Sequence, residues 1–117
     1  MQDRHWVALA AGLGLVAVAF GAFAAHGLGD SRAAQWVETG SRYQMVHAVA
    51  ILAAIAWRGG RSAATALWAI GAVLFPGSLY ALALGAPPAA AALAPVGGTA
   101  LLLGWAALAW QALKSPG

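Results

Sequence analysis

Polar residues divide this chain into long apolar runs. Residues 7–25 consist only of Val, Ala, Leu, Gly and Phe, with Trp6 before them and His26 after. From 62 to 113, 52 consecutive positions carry no formal charge. As one helix that run would measure about 78 Å, against a hydrocarbon core of about 30 Å. It must fold back, and Gly85-Ala86-Pro87-Pro88 is the place. Two prolines remove two backbone donors and disfavour the helical conformation in the residue before them. The pattern predicts a first span over 6–28, a third over 63–84 and a fourth over 89–113, the last kinked or begun anew at Pro95. The second apolar stretch, 43–57, is interrupted by His47, and its 15 residues fall short of the usual minimum of about 17. Segment 30–42 before it is of mixed polarity. Asp30 or Ser31 suits a helix cap, and Ala33, Ala34, Trp36 and Val37 offer an apolar side. We read it as a short interfacial helix leading into the second span. A single helix over 31–57 is the alternative, opposed by Gly40.

Composition turns these runs into a class. Hydrophobic residues make up 62% and charged residues 8%, against roughly 45–50% and about 25% in soluble domains. Nine charged side chains cannot solvate the surface of a soluble fold of 117 residues. A soluble enzyme, a disordered chain and a nucleic-acid-binding domain are thereby excluded. With no cysteine there is no disulfide framework and no thiolate site. The expectation is one all-α domain, an integral membrane four-helix bundle in contact with the lipid bilayer. The first apolar run exceeds the 7–15 residues of a cleaved signal, so it reads as a span.

Four spans place both termini on one side. Arg4, Arg58, Arg61 and Lys114 then share that side, opposite Arg32 and Arg42. Four against two puts both termini in the cytoplasm by the positive-inside rule. Within the bilayer, small residues must supply the close contacts that hold helices together. Gly12, Gly14, Ala17, Gly21 and Ala25 on the first span, Gly71 on the third and Ala100 with Gly104 on the fourth are suited to this. A compact bundle without a wide aqueous pore is expected.

Polar residues inside spans are costly and therefore informative. His26, Tyr43, Gln44, His47, Ser78, Tyr80 and Thr99 all fall in the outer half of their spans, and the inner half has only Thr65 besides tryptophan indoles. The first six should converge into one polar cluster, with Glu38 or Arg42 over the top. Structural roles compete for each residue. His26 suits a helix end, Ser78 can bond back to Leu74, Tyr43 and Tyr80 can be outer-belt anchors, and Glu38 with Arg42 can form a helix-surface pair.

Several segments also resemble a known family. Gly21-Ala22-Phe23-Ala24-Ala25-His26-Gly27-Leu28 is similar to its Gly-Ala-Phe-Gly-Ala-His-Gly-Leu signature, and Tyr43-Gln44-Met45-Val46-His47-Ala48 to its Tyr-Gln-x-x-His-Ala motif. Leu74-Phe75-Pro76-Gly77-Ser78-Leu79-Tyr80 resembles Leu-Phe-Ser-Gly-Ser-Leu-Tyr, while Pro95-Val96-Gly97-Gly98 and Gly104-Trp105 resemble Pro-Ile-Gly-Gly and Gly-Trp. The motifs run in order through all four spans. They are those of domain-of-unknown-function family 423, small bacterial inner-membrane proteins with animal relatives called transmembrane protein 256. Ala24 and Pro76 depart from the pattern, and Pro76 replaces a hydroxyl by an expected kink. The resemblance implies a four-helix protein of the bacterial inner membrane and no established activity.

Three functions fit these residues. The first is a non-enzymatic accessory or assembly subunit that packs against itself, as a homo-oligomer, or against other membrane protein subunits. The second is a small-solute or proton pathway through the outer His/Tyr/Ser cluster, opposed by the lack of ionisable residues in the inner half. The third is haem b held between His26 and His47, opposed by the bundle's small interior. No cofactor, metal site or catalytic set is expected.

Overall fold

The computed structural model describes residues 2–59 and 61–115. It contains α1 (Asp3–Gly27), α2 (Arg32–Arg58), α3 (Ala63–Ala83), a 3₁₀ segment (Pro88–Ala92) and α4 (Leu93–Lys114). The described residues include no strand. Successive helices run antiparallel and pack in series, α1 on α2, α2 on α3 and α3 on α4, in a body of 50 × 24 × 21 Å. Neither α1 nor α2 makes comparable backbone contact with α4. The helices therefore form an open arc, with a groove between α2 and α4 and α3 as its floor.

Local chemistry sets the helix ends. Ser31 accepts the Ala34 amide at 3.1 Å and starts α2. Ser62 and Thr65 form a reciprocal capping box that starts α3. Gly59, at φ 70°, closes α2 by donating to the Ile55 carbonyl, a conformation that favours glycine. Pro95 lies in the first turn of α4, where its missing N–H leaves no helical carbonyl unpaired. The fourth helix thus begins anew just before Pro95.

The segment 30–42 is not a separate interfacial helix. Its residues from Arg32 onward are the first turns of an unbroken α2 that continues through 43–57. Gly40 does not break the helix. It is buried, and a Cβ there would lie 2.9 Å from Tyr80 Cε1 and 3.2 Å from the Pro76 Cα, so glycine permits α2 and α3 to touch. On the other side of α2, the Ser41 hydroxyl donates to the Ala17 carbonyl of α1 at 2.7 Å. These contacts hold the first turns of α2 against its neighbours. Of the α1 small residues, Ala17 is buried and Gly21 faces Ser41, while Gly12 has nothing within 4 Å of its Cβ position.

Candidate functional site: a polar seam across α2, α3 and α4

The seam starts from a backbone defect. Pro76 has no N–H, so the Ala72 carbonyl one turn earlier lacks its helical donor. Gln44 on α2 supplies one: its Nε2 donates to the Ala72 carbonyl at 3.1 Å. Gln44 Oε1 in turn accepts the Tyr80 hydroxyl at 2.8 Å. The Tyr80 ring stacks on Phe20 of α1, with centroids 3.9 Å apart and planes 4° from parallel. One glutamine thereby ties α2 to α3 at two points, next to an aromatic contact with α1.

His47, one turn further along α2, is equally committed. Its Nδ1 lies 2.7 Å from the Tyr43 carbonyl. A carbonyl can only accept, so Nδ1 carries the proton. Its Nε2 accepts the Trp105 indole N–H at 3.0 Å. The hydrogen-bond network thus assigns the neutral Nδ1–H tautomer. Trp105 also packs on Trp68, centroids 4.6 Å apart, and this contact links α4 to the floor of the groove. The indole nitrogens of Trp68 and Trp6 are buried without a hydrogen-bond partner.

The expected cluster forms only in part. Gln44, His47, Ser78 and Tyr80 are buried at the helix interfaces. Ser78 bonds back to its own helix at Phe75, 2.9 Å away, one residue from the expected acceptor. Tyr43 is half exposed and packs edge-on against Phe75, and Thr99 is exposed and bonds back to the Pro95 carbonyl at 2.7 Å. Glu38 and Arg42 are exposed on α2, outside the seam. His26 is exposed in the last turn of α1 and does not join it. The helix register explains why. Ala17 pairs with Ser41 and Gly14 faces Met45, so His26 is level with the start of α2, about 21 Å along the axis from His47. The two histidines do not face each other as a haem pair would. Among the described residues, no three His, Asp or Glu side chains are grouped to hold a metal.

Trp105 and Phe20 are seam members that the pattern of polar positions could not reveal. Each sits in a run of small and apolar residues, where an aromatic reads as packing or lipid contact. The Trp105–His47 bond divides the groove between α2 and α4. One part is a cleft of about 560 Å³ lined by Tyr43, Phe75, Pro95, Thr99 and Leu102 besides that pair. The other is narrower, about 180 Å³, and runs past Ala50, Ala53 and Ala54 to Trp57.

An all-helical chain of this composition, with three helices (Asp3–Gly27, Ala63–Ala83 and Pro88–Lys114) long and apolar enough to cross a bilayer, is a membrane protein. Comparison with known proteins agrees. The chain belongs to the DUF423 family, described as proteins of unknown function, whose model matches residues 20–98. It is 44% identical to the UPF0382 membrane protein of Haemophilus influenzae, over 97% of this chain and 98% of the relative. It is 38% identical to the UPF0382 inner membrane protein YgdD of Escherichia coli K12, over 97% and 93%. A Staphylococcus epidermidis UPF0382 membrane protein is 36% identical, over 88% and 90%. No solved structure matches.

Proposed function

We propose that the protein crosses the bacterial inner membrane four times, with both termini cytoplasmic. We further propose that it is a non-enzymatic accessory or assembly subunit, packing against itself or against a larger membrane complex. The observation that carries this reading is the state of the interior. Each buried Gln, His, Ser, Thr and Tyr side chain is engaged within the fold. The three carboxylates, Asp3, Asp30 and Glu38, are all exposed. A relay or reaction centre needs a group free to exchange protons or partners, and His47 has both ring nitrogens committed.

Packing supports the crossing of α2. It lies along α1 on one side and α3 on the other, and both of these are apolar enough to span. Residues 43–57 are uncharged, and the long Arg42 side chain can snorkel toward the nearer surface. Charge supports the orientation. Arg4, Arg58, Arg61 and Lys114 against Asp3 place the entire net charge of +3 at the end bearing both termini. At the other end Arg32 and Arg42 balance Asp30 and Glu38. Weighing the intact protein, extracted from native membranes in mild detergent, tests the accessory role. A stoichiometric partner or a defined oligomer is expected; a solitary monomer in every mild detergent overturns the reading.

A further inference from the structure

The narrow part of the groove leads from the His47–Trp105 bond to the charged end of the molecule. Ala50, Ala53 and Ala54 form its α2 wall, Leu108 and Trp105 its α4 wall, and Trp68 its floor. The alanines leave the space, because α2 and α4 pack on α3 rather than on each other. At the mouth, the Arg58 guanidinium lies over the Trp57 ring, 4.8 Å from its centroid. Arg58 also donates to the Ser115 hydroxyl, just past α4, so its side chain spans the opening. One residue before Ser115, the Lys114 ammonium rests over Trp110 at 5.4 Å. An apolar channel thus ends under a cation that the protein itself holds in place.

We propose that this channel and its mouth are a binding site for one acidic phospholipid. The phosphate sits on Arg58 with Lys114 beside it, and one acyl chain runs past Trp57 and Ala53 toward Trp105. Dimensions select a hydrocarbon chain over a protein helix. From Trp57 to Ala50 the channel is about 10 Å long, within one leaflet of a core about 30 Å thick. The centre of a water-sized sphere has about 180 Å³ to move in there, and the whole empty space of about 400 Å³ gives a section of about 40 Å² over that length. That admits one extended chain, whereas a helix 10–12 Å across needs roughly 80 Å² or more. Charge selects the headgroup. The whole net charge of the chain lies at this end, and a guanidinium braced on an aromatic face presents its paired donors to a phosphate with little left to order. The inference needs only that the protein resides in a membrane, and it stands or falls apart from the accessory role.

The test uses the intact protein, stripped of lipid in detergent and titrated by native mass spectrometry. Phosphatidylglycerol, phosphatidylcholine and inorganic phosphate are added in separate arms. One phosphatidylglycerol should bind, phosphatidylcholine at least about tenfold more weakly, and free phosphate not measurably. Replacing both cations, Arg58→Gln with Lys114→Gln, should weaken phosphatidylglycerol roughly thirtyfold, each basic residue contributing several-fold near an anionic headgroup. Ala53→Phe fills the channel without touching a charge and should weaken it as well, while Arg58→Lys, which keeps the charge but loses the paired donors, should bind between the wild type and Arg58→Gln. A photoreactive group at Ala53 in native membranes should label lipid. Equal affinity for the two lipids, binding of phosphate alone, indifference to Ala53→Phe, or labelling of a protein segment in place of lipid would each overturn the assignment.

Discussion

At the scale of residues, Gln44 is the side chain on which most depends. It satisfies the carbonyl that Pro76 leaves without a donor and accepts the Tyr80 hydroxyl. Gln44→Leu strands both groups in an apolar interior, and we predict a loss of about 1–3 kcal/mol, read as thermal unfolding in detergent. The same replacement in a Pro76→Ala background should cost distinctly less, because alanine restores the helical N–H to the Ala72 carbonyl. Equal costs in the two backgrounds would dissociate Gln44 from the proline. In a second cycle, Gln44→Leu with Tyr80→Phe should destabilise less than the sum of the single changes, with a coupling of about 1 kcal/mol. The sequence marked Gln44, His47, Ser78 and Tyr80 because polar side chains in apolar runs must find partners, and the structure buries all four with a hydrogen-bond partner. It misplaced His26, because a histidine at a helix end needs no partner inside the fold. It also could not show that Gln44 answers Pro76, since residues 32 positions apart reveal no register.

At the scale of elements, three helices were legible and one was not. Spans expected over 6–28, 63–84 and 89–113 appear as Asp3–Gly27, Ala63–Ala83 and Leu93–Lys114, preceded by the 3₁₀ segment Pro88–Ala92. Length and absence of charge suffice for such runs. For α2 the mixed polarity of 30–42 and Gly40 suggested a break, yet this is where α2 meets its neighbours: Gly40 makes room for Pro76 and Tyr80, and Ser41 and Gln44 bond to α1 and α3. Close approach of this kind is invisible in a single segment, since a glycine that breaks a helix and one that admits a neighbour look alike. The distinction can be measured. At Gly97 a Cβ would collide with the Phe75 backbone nitrogen, whereas at Gly12 it would meet nothing within 4 Å. Gly97→Ala should force α3 and α4 apart and destabilise by about 1–3 kcal/mol. Gly12→Ala should be neutral or stabilise by up to about 1 kcal/mol through helix propensity. Melting temperatures of the two variants should therefore move in different directions or by clearly different amounts; similar losses would contradict the interface.

At the scale of the whole molecule, the structure is an arc of antiparallel helices with its polar bonds gathered on α2. By composition alone α2 is not apolar enough to be counted as a span, while α1, α3 and the segment Pro88–Lys114 are. Its place between α1 and α3, and the turning of Gln44 and His47 toward protein partners, are what make a fourth crossing physically acceptable. The number of crossings has a direct consequence. Four put the two termini on the same side, and three put them on opposite sides. The most direct test is a dual reporter, one half active only in the cytoplasm and the other only in the periplasm, fused in turn before Gln2 and after Lys114. Cytoplasmic activity is expected at both ends. Cytoplasmic activity at one end and periplasmic activity at the other would contradict four crossings.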